Sequence, residues 1–237
     1  KVKDVSLTSI GFRNNRLVAV GDKYYFGSYT DEHGHELWQT DGTNNGTFLV
    51  KDINNNPDFP YYSHIRELTH LNDRLYFSAD DGISGSELWR SDGTMEGTYM
   101  VKDIRLGERG SSISSLTQVG DKLYFNALVT DTSSELWETD GTEEGTKVVK
   151  RFDQFYSRAY SIIPLGGNSF VFVLNDGQSG NELWYSNGTE EETYLLRDIY
   201  ESTDGSYPNT FLIFNNKLYF TADDGIHGRE IWTIPFN

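Results

Sequence analysis

Apolar residues along the chain fall into short clusters bounded by glycine, asparagine or aspartate, and no stretch sustains the three-to-four-residue spacing of an amphipathic helix. Leu75-Tyr76-Phe77, Leu123-Tyr124-Phe125 and Leu218-Tyr219-Phe220 carry the aromatic and aliphatic side chains that favour strands. Turn dipeptides introduce them: Asn72-Asp73, Gly120-Asp121 and Asn215-Asn216, with Gly21-Asp22 and Gly167-Asn168 in the corresponding places elsewhere. Such pairs supply the positive φ of tight hairpins. Further β-rich runs, Phe48 to Ile53 and Tyr99 to Ile104, follow a second kind of turn.

The clusters recur. Aligning the chain on its five tryptophans gives Glu36-Leu37-Trp38, Glu87-Leu88-Trp89, Glu135-Leu136-Trp137, Glu182-Leu183-Trp184 and Glu230-Ile231-Trp232, spaced 51, 48, 47 and 48 residues apart. Four continue into Asp41-Gly42-Thr43, Asp92-Gly93-Thr94, Asp140-Gly141-Thr142 and Asn187-Gly188-Thr189. Each repeat then holds four short strands, A to D, at the turn spacing of an antiparallel meander. That pattern predicts an all-β fold, a five-bladed β-propeller with four antiparallel strands per blade and one domain over 1–237. The blades span approximately 8–53, 63–104, 111–152, 160–199 and 207–237 plus 1–6. The last copy lacks its turn and fourth strand, whereas Lys1-Val2-Lys3-Asp4-Val5 matches Val50-Lys51-Asp52-Ile53. Residues 1–6 are thus expected to complete the last blade and close the ring, removing an exposed sheet edge.

The pattern Glu-Leu-Trp-x-x-Asp-Gly-Thr-x-x-Gly-Thr, clearest at Glu87 to Thr98 and Glu135 to Thr146, resembles the ELWxxDGT-type repeats of large secreted and cell-surface proteins. The resemblance covers nearly the whole chain. It implies a propeller-like, extracellular, interaction-type architecture and assigns no catalytic residues. Asn187 and Glu192 depart from the pattern in the fourth repeat, and the fifth lacks the turn. In size and blade count the chain is also similar to tachylectin-type five-bladed lectins, whose sequence motifs it lacks.

Charge and composition narrow the partners. With 36 acidic against 20 basic residues, a net charge of -16 repels phosphate backbones and anionic headgroups, so nucleic acid and membrane insertion are not expected. The absence of cysteine removes disulfides, zinc thiolates and cysteine nucleophiles. Numbering from Lys1 without an initiator Met suggests a processed, secreted or extracellular product.

Candidate chemistry lies in the repeated motif and in the loops. Strand alternation places Glu and Trp of each Glu-Leu-Trp on one side and Leu on the other. Trp38, Trp89, Trp137, Trp184 and Trp232 either pack between blades or, with Glu36, Glu87, Glu135, Glu182 and Glu230, form sugar platforms. In the Asp-Gly-Thr turn, Asp accepts backbone N–H groups, Gly takes the left-handed position and Thr starts strand D. The B-to-C turns carry Asp80, Asp81, Asp223 and Asp224, which are either glycine-rich hairpins or hard oxygen ligands for calcium.

The D-to-A loops vary more, and variable loops on a rigid scaffold are where binding resides. They hold Tyr61, Tyr62, Arg109, Tyr156, Arg158, Tyr160 and Tyr207. Aromatic faces beside carboxylates and amides suit sugar rings. His33, His35, His64, His70 and His227 show no metal-ligand spacing, and His33 and His35 flank a turn expected to face solvent. No unique carboxylate pair of the kind glycosidases use stands out.

These features predict a non-enzymatic, extracellular, lectin-like propeller that binds glycans or glycoproteins through several repeat-related weak sites, an oligomer being compatible. It requires no cofactor, and calcium is the ion its turns would accept. The competing classes are a protein-interaction or adhesion module steadied by calcium and a glycoside hydrolase.

Overall fold

The computed structural model describes residues 3, 17–55, 62–152 and 159–236. Within them the chain forms strands and turns with no helix. The first sheet contains β1 (Val18–Val20), β2 (Lys23–Thr30), β3 (Gly34–Thr40) and β4 (Phe48–Lys51). The second contains β5 (Arg66–Leu71), β6 (Arg74–Asp80), β7 (Ser86–Ser91) and β8 (Tyr99–Lys102). The third holds β9 (Ser114–Val119), β10 (Lys122–Leu128), β11 (Ser134–Thr139) and β12 (Lys147–Phe152), and the fourth β13 (Tyr160–Gly166), β14 (Ser169–Asn175), β15 (Asn181–Ser186) and β16 (Tyr194–Arg197). In the fifth, β17 (Asn209–Phe214), β18 (Lys217–Asp223) and β19 (Arg229–Pro235) make three described strands. Each sheet is an antiparallel meander in chain order, as the turn spacing predicts.

Two irregularities recur. On the first strand of the second, fourth and fifth sheets the register slips between Arg66 and Thr69, Tyr160 and Ile163, and Asn209 and Leu212, where Glu67, Ser161 and Thr210 take φ of 54°, 54° and 56°. On the last strand one extra residue, Val50, Val101, Val149 or Leu196, bulges opposite the Leu-Trp step. The bulged valines are buried.

The chain divides into two compact units, residues 1–116 with 141–146, and residues 117–140 with 147–237. Within the first, Leu37 of β3 shares a core with Trp89 of β7, Leu75 and Phe77. Within the second, Leu136 packs with Trp184, Phe170 and Phe172, and Leu183 packs with Phe220 and Trp232. The leucine of one repeat and the tryptophan of the next therefore fill one apolar layer. Polar ties also link successive repeats from the first to the fourth. The space a Cβ would need at Gly93, Gly141 and Gly188 is taken by the hydroxyls of Tyr25, Tyr76 and Tyr124, one repeat earlier. These glycines have φ of 88°, 93° and 91°, as the turn requires. Lys51, Lys102 and Lys150 donate to the carbonyls of Thr98, Thr146 and Thr193 in the following turn at 2.6, 2.8 and 2.8 Å.

Three sequence expectations change. Strand D ends at Lys51 and Lys102, two residues short, because the N–H groups of Ile53 and Ile104 donate to Glu36 and Glu87 instead of a ladder. The Thr of Asp-Gly-Thr does not start strand D: Thr43 and Thr94 sit inside the turn, and the strands begin at Phe48 and Tyr99. His35 does not face solvent; it lies in β3, 3% exposed. The ring-closing strand over residues 1–6 lies outside the described residues except for Lys3.

Candidate ligand-binding cleft

The Asp-Gly-Thr turn is held by its own side chains. Asp41 Oδ1 accepts the Thr43 amide and hydroxyl at 2.8 and 2.7 Å, Thr43 Oγ1 accepts the Gly46 amide at 2.9 Å, and the Thr47 hydroxyl donates to the Thr43 carbonyl at 2.6 Å. Asp92 and Asn187 repeat the arrangement, so asparagine serves where aspartate is absent. Glu192, in the place of Gly46 and Gly97, keeps the bond to Thr189 at a longer 3.3 Å.

The glutamates of the repeat clip the D-to-A loops. Glu36 accepts the amides of Ile53 and Asn54 at 3.0 and 3.2 Å. Glu87 accepts the amides of Ile104 and Arg105 at 3.1 and 3.2 Å and the Ser111 hydroxyl at 2.7 Å; Glu182 accepts Tyr200, Ser206 and the Ser206 hydroxyl. Burial pushes Glu36 and Glu87 each up to about 7, against the opposing pull of these donors. Glu135 is buried between Arg151 Nε at 3.1 Å and the Trp137 indole N–H at 3.0 Å, whereas Glu230 is exposed.

Trp38, Trp89 and Trp184 are buried, and Trp137 and Trp232 half-buried. Cations of the preceding repeat lie over two of them: Lys51 Nζ is 5.9 Å from the Trp89 ring centre and Arg197 Cζ 5.5 Å from that of Trp232. Lys3 stands in the same way over Trp38 at 5.9 Å and donates to the Thr47 carbonyl at 2.6 Å.

Within the first unit the loops form a cleft of about 260 Å³. Asn54, Tyr62 and His64 come from the loop between β4 and β5, Asp80 from the end of β6 and Gly82 from the turn after it, and Glu108 and Arg109 from the loop after β8. The loop is pinned by Ser63, whose amide and hydroxyl both donate to the His35 carbonyl, at 3.1 and 2.7 Å. Ser111 makes the equivalent backbone bond to Ser86 at 2.9 Å, and there the preceding residue is Gly110, packed so tightly that a Cβ would lie 2.2 Å from the Ser86 nitrogen. Tyr62 occupies that position in the first loop. Its ring stacks with Tyr29 and with His64, at centre-to-centre distances of 5.8 and 5.7 Å. Partial burial and Arg66 hold the His64 imidazole below its ordinary range, favouring the neutral ring.

The structure thus brings Tyr62, Arg109 and Asp80 into one cleft. Asp81 caps its own turn, accepting the amides of Ile83 and Ser84 at 2.9 and 2.7 Å, and Asp80 Oδ1 accepts the Gly82 amide at 2.7 Å. Asp223 and Asp224 do the same for Gly225 and for Ile226 and His227. Potential ligand atoms of Asp224, His227 and Glu230 lie within 4.8 Å of one another. Tyr160 and Tyr207 belong to the second unit, where both bond Asn181: the Tyr160 hydroxyl donates to Asn181 Oδ1 at 3.3 Å and the Tyr207 amide to the Asn181 carbonyl at 3.0 Å. Tyr61, Tyr156 and Arg158 lie outside the described residues. Asn54, His64 and Glu108 join the cleft without having been singled out as ligands; the variable loops that contain them were the only sequence signal.

No protein-family model matches the sequence, and no curated protein matches it. Solved structures do. A prolyl endopeptidase matches with a TM-score of 0.58 and 14% identity over 92% of this chain, and oligopeptidase B from Leishmania major with 0.57 and 12% over 96%. TolB from Acinetobacter baumannii matches with 0.50 and 10% over 91%. The chain spans 33% and 32% of the two peptidases and 51% of TolB. At these identities the likeness concerns the fold alone: an all-β chain of antiparallel, mostly four-stranded sheets with propeller-like neighbours.

Proposed function

We propose that the chain is a non-enzymatic, extracellular glycan-binding propeller and that the cleft around Tyr62 is one of its sites. The observation that carries this reading is Tyr62 itself, which stands where the neighbouring repeat needs a glycine and lines the cleft beside Asn54 and Asp80. An aromatic face with amide and carboxylate acceptors around it matches a sugar ring, whose C–H face stacks while its hydroxyls donate. Glycan-array binding followed by calorimetry is the test. Tyr62→Ala is expected to weaken binding at least tenfold while leaving the melting temperature within a few degrees; an array without signal overturns the reading. Two carboxylates, Asp80 and Glu108, share the cleft, so a chromogenic glycoside belongs in the same experiment. Turnover that disappears in Asp80→Asn would make the protein a hydrolase.

The finer architecture belongs to this proposal. Five blades closed by residues 1–6 explain why Lys3 does for Trp38 and Thr47 what Lys51 does for Trp89 and Thr98. Ile231, 79% exposed against 0% for Leu37, Leu88 and Leu136, lies on the edge that this strand would cover. Removing residues 1–6 is expected to lower the melting temperature by several degrees, and an unchanged melt would overturn closure.

A protein-interaction module is the second reading, favoured by Ile83 and Leu106, 71% and 86% exposed and next in sequence to cleft residues or nearly so. Stability lost to a chelator, with no sugar bound, would favour it in its calcium-dependent form.

A further inference from the structure

Three charged side chains line the cleft: the carboxylates of Asp80 and Glu108 and the guanidinium of Arg109. The adjacent Asp81 adds a third carboxylate on the same turn, and Arg66, near enough to act on His64, a second guanidinium, which leaves one negative charge in excess. At physiological salt, charges beyond about 8 Å are largely screened, so this local surplus decides which ligand is held. The chain as a whole, at -16, acts in the same direction on approach. Tyr62 lines the same cleft, and His64, stacked with it, is held toward its neutral form by burial and by Arg66, adding no cation.

The site is also built. Glu36 clips the amide of Asn54, which lines one wall, while Glu87 clips Arg105 and Ser111, which bracket the loop carrying Glu108 and Arg109. Both clips come from the sheets beneath the loops, so the acidic and aromatic walls are set before a ligand arrives. We infer that, within the glycan-binding reading on which this rests, the cleft selects a hexosamine bearing a free protonated amine and turns away uronates and sulfated sugars. The ring packs against the part of Tyr62 that lines the cleft, and the ammonium is taken by the Asp80 and Glu108 carboxylates.

The test compares glucosamine, N-acetylglucosamine and galacturonate tetramers by calorimetry in 50 and 300 mM salt. Asp80→Asn is a clean variant, because Asn175 makes the same cap in the fourth repeat, its Oδ1 accepting the Gly177 amide at 2.8 Å. The glucosamine tetramer is expected to bind roughly tenfold more tightly than its acetylated counterpart, consistent with a charge-assisted hydrogen bond. High salt should narrow that gap, and Asp80→Asn with Glu108→Gln should close it. A galacturonate tetramer that binds as well as the amine, or a preference untouched by the double substitution, overturns the selectivity and leaves the glycan reading intact. Failure of all three sugars overturns the selectivity, and a silent glycan array beside it overturns the glycan reading as well.

Discussion

A Cβ built on Gly141 would lie 1.8 Å from the Tyr76 hydroxyl, and the backbone there has a φ of 93°, so two separate penalties attach to one hydrogen atom. Gly141→Ala is expected to destabilise the protein by about 2 kcal/mol or more in chemical denaturation. Tyr76→Phe in the same chain should recover the steric part and leave the backbone part. An additive double variant would show that the hydroxyl is not what the glycine accommodates. The glycine was legible from the Asp-Gly-Thr motif as a left-handed residue. Its closeness to a tyrosine about 65 residues earlier was not, since nothing in a repeat's own pattern says which neighbouring side chain lies above its turn. The same holds for Glu36 and Glu87: an acid before Leu-Trp reads equally well as a ligand group or as a clip, and only the amides of Ile53 and Ile104 decide.

Those glutamates connect two elements, a C strand and the loop leaving the D strand. Their folded value of about 7 lies above the ordinary 4.5, so the native state holds more protons than the unfolded chain in between. Their contribution is therefore full below about 4.5 and lost as pH rises through about 7. His35 works the other way: burial lowers it from 6.5 to about 4, so its contribution is full above 6.5 and lost as pH falls through about 4. A comparison that keeps His35 constant isolates the acids. Glu36→Gln with Glu87→Gln should lose less stability than the parent between pH 5 and pH 8 in thermal melts, and parallel curves would contradict the assigned burial. Strand order and A-to-B turns were readable from Gly, Asn and aromatic spacing. The ends of β4 and β8 were not, because the side chains that stop those ladders lie 17 residues earlier in the chain.

From the first repeat to the fourth, neighbours are joined through the same atoms each time. Lys51→Met keeps the aliphatic stem but removes the bond to the Thr98 carbonyl and the cation over Trp89, which should cost about 1–2 kcal/mol in urea unfolding. A loss equal to that of an exposed lysine variant would mean the tie contributes nothing. The meander and the repeat length were legible because every copy needs the same turns. The cleft was legible only as variable loops, since Tyr62 acquires its role by standing where Gly110 stands one repeat later. One seam is built differently. Between the fourth and fifth sheets the tyrosine position holds Val171, no Asp-Gly-Thr turn follows Trp232, and the contact rests on apolar packing with Arg197 over the indole. Deuterium uptake should accordingly begin in the amides of β17 to β19 and reach β14 and β15 later, giving the protein a weakest side from which it opens.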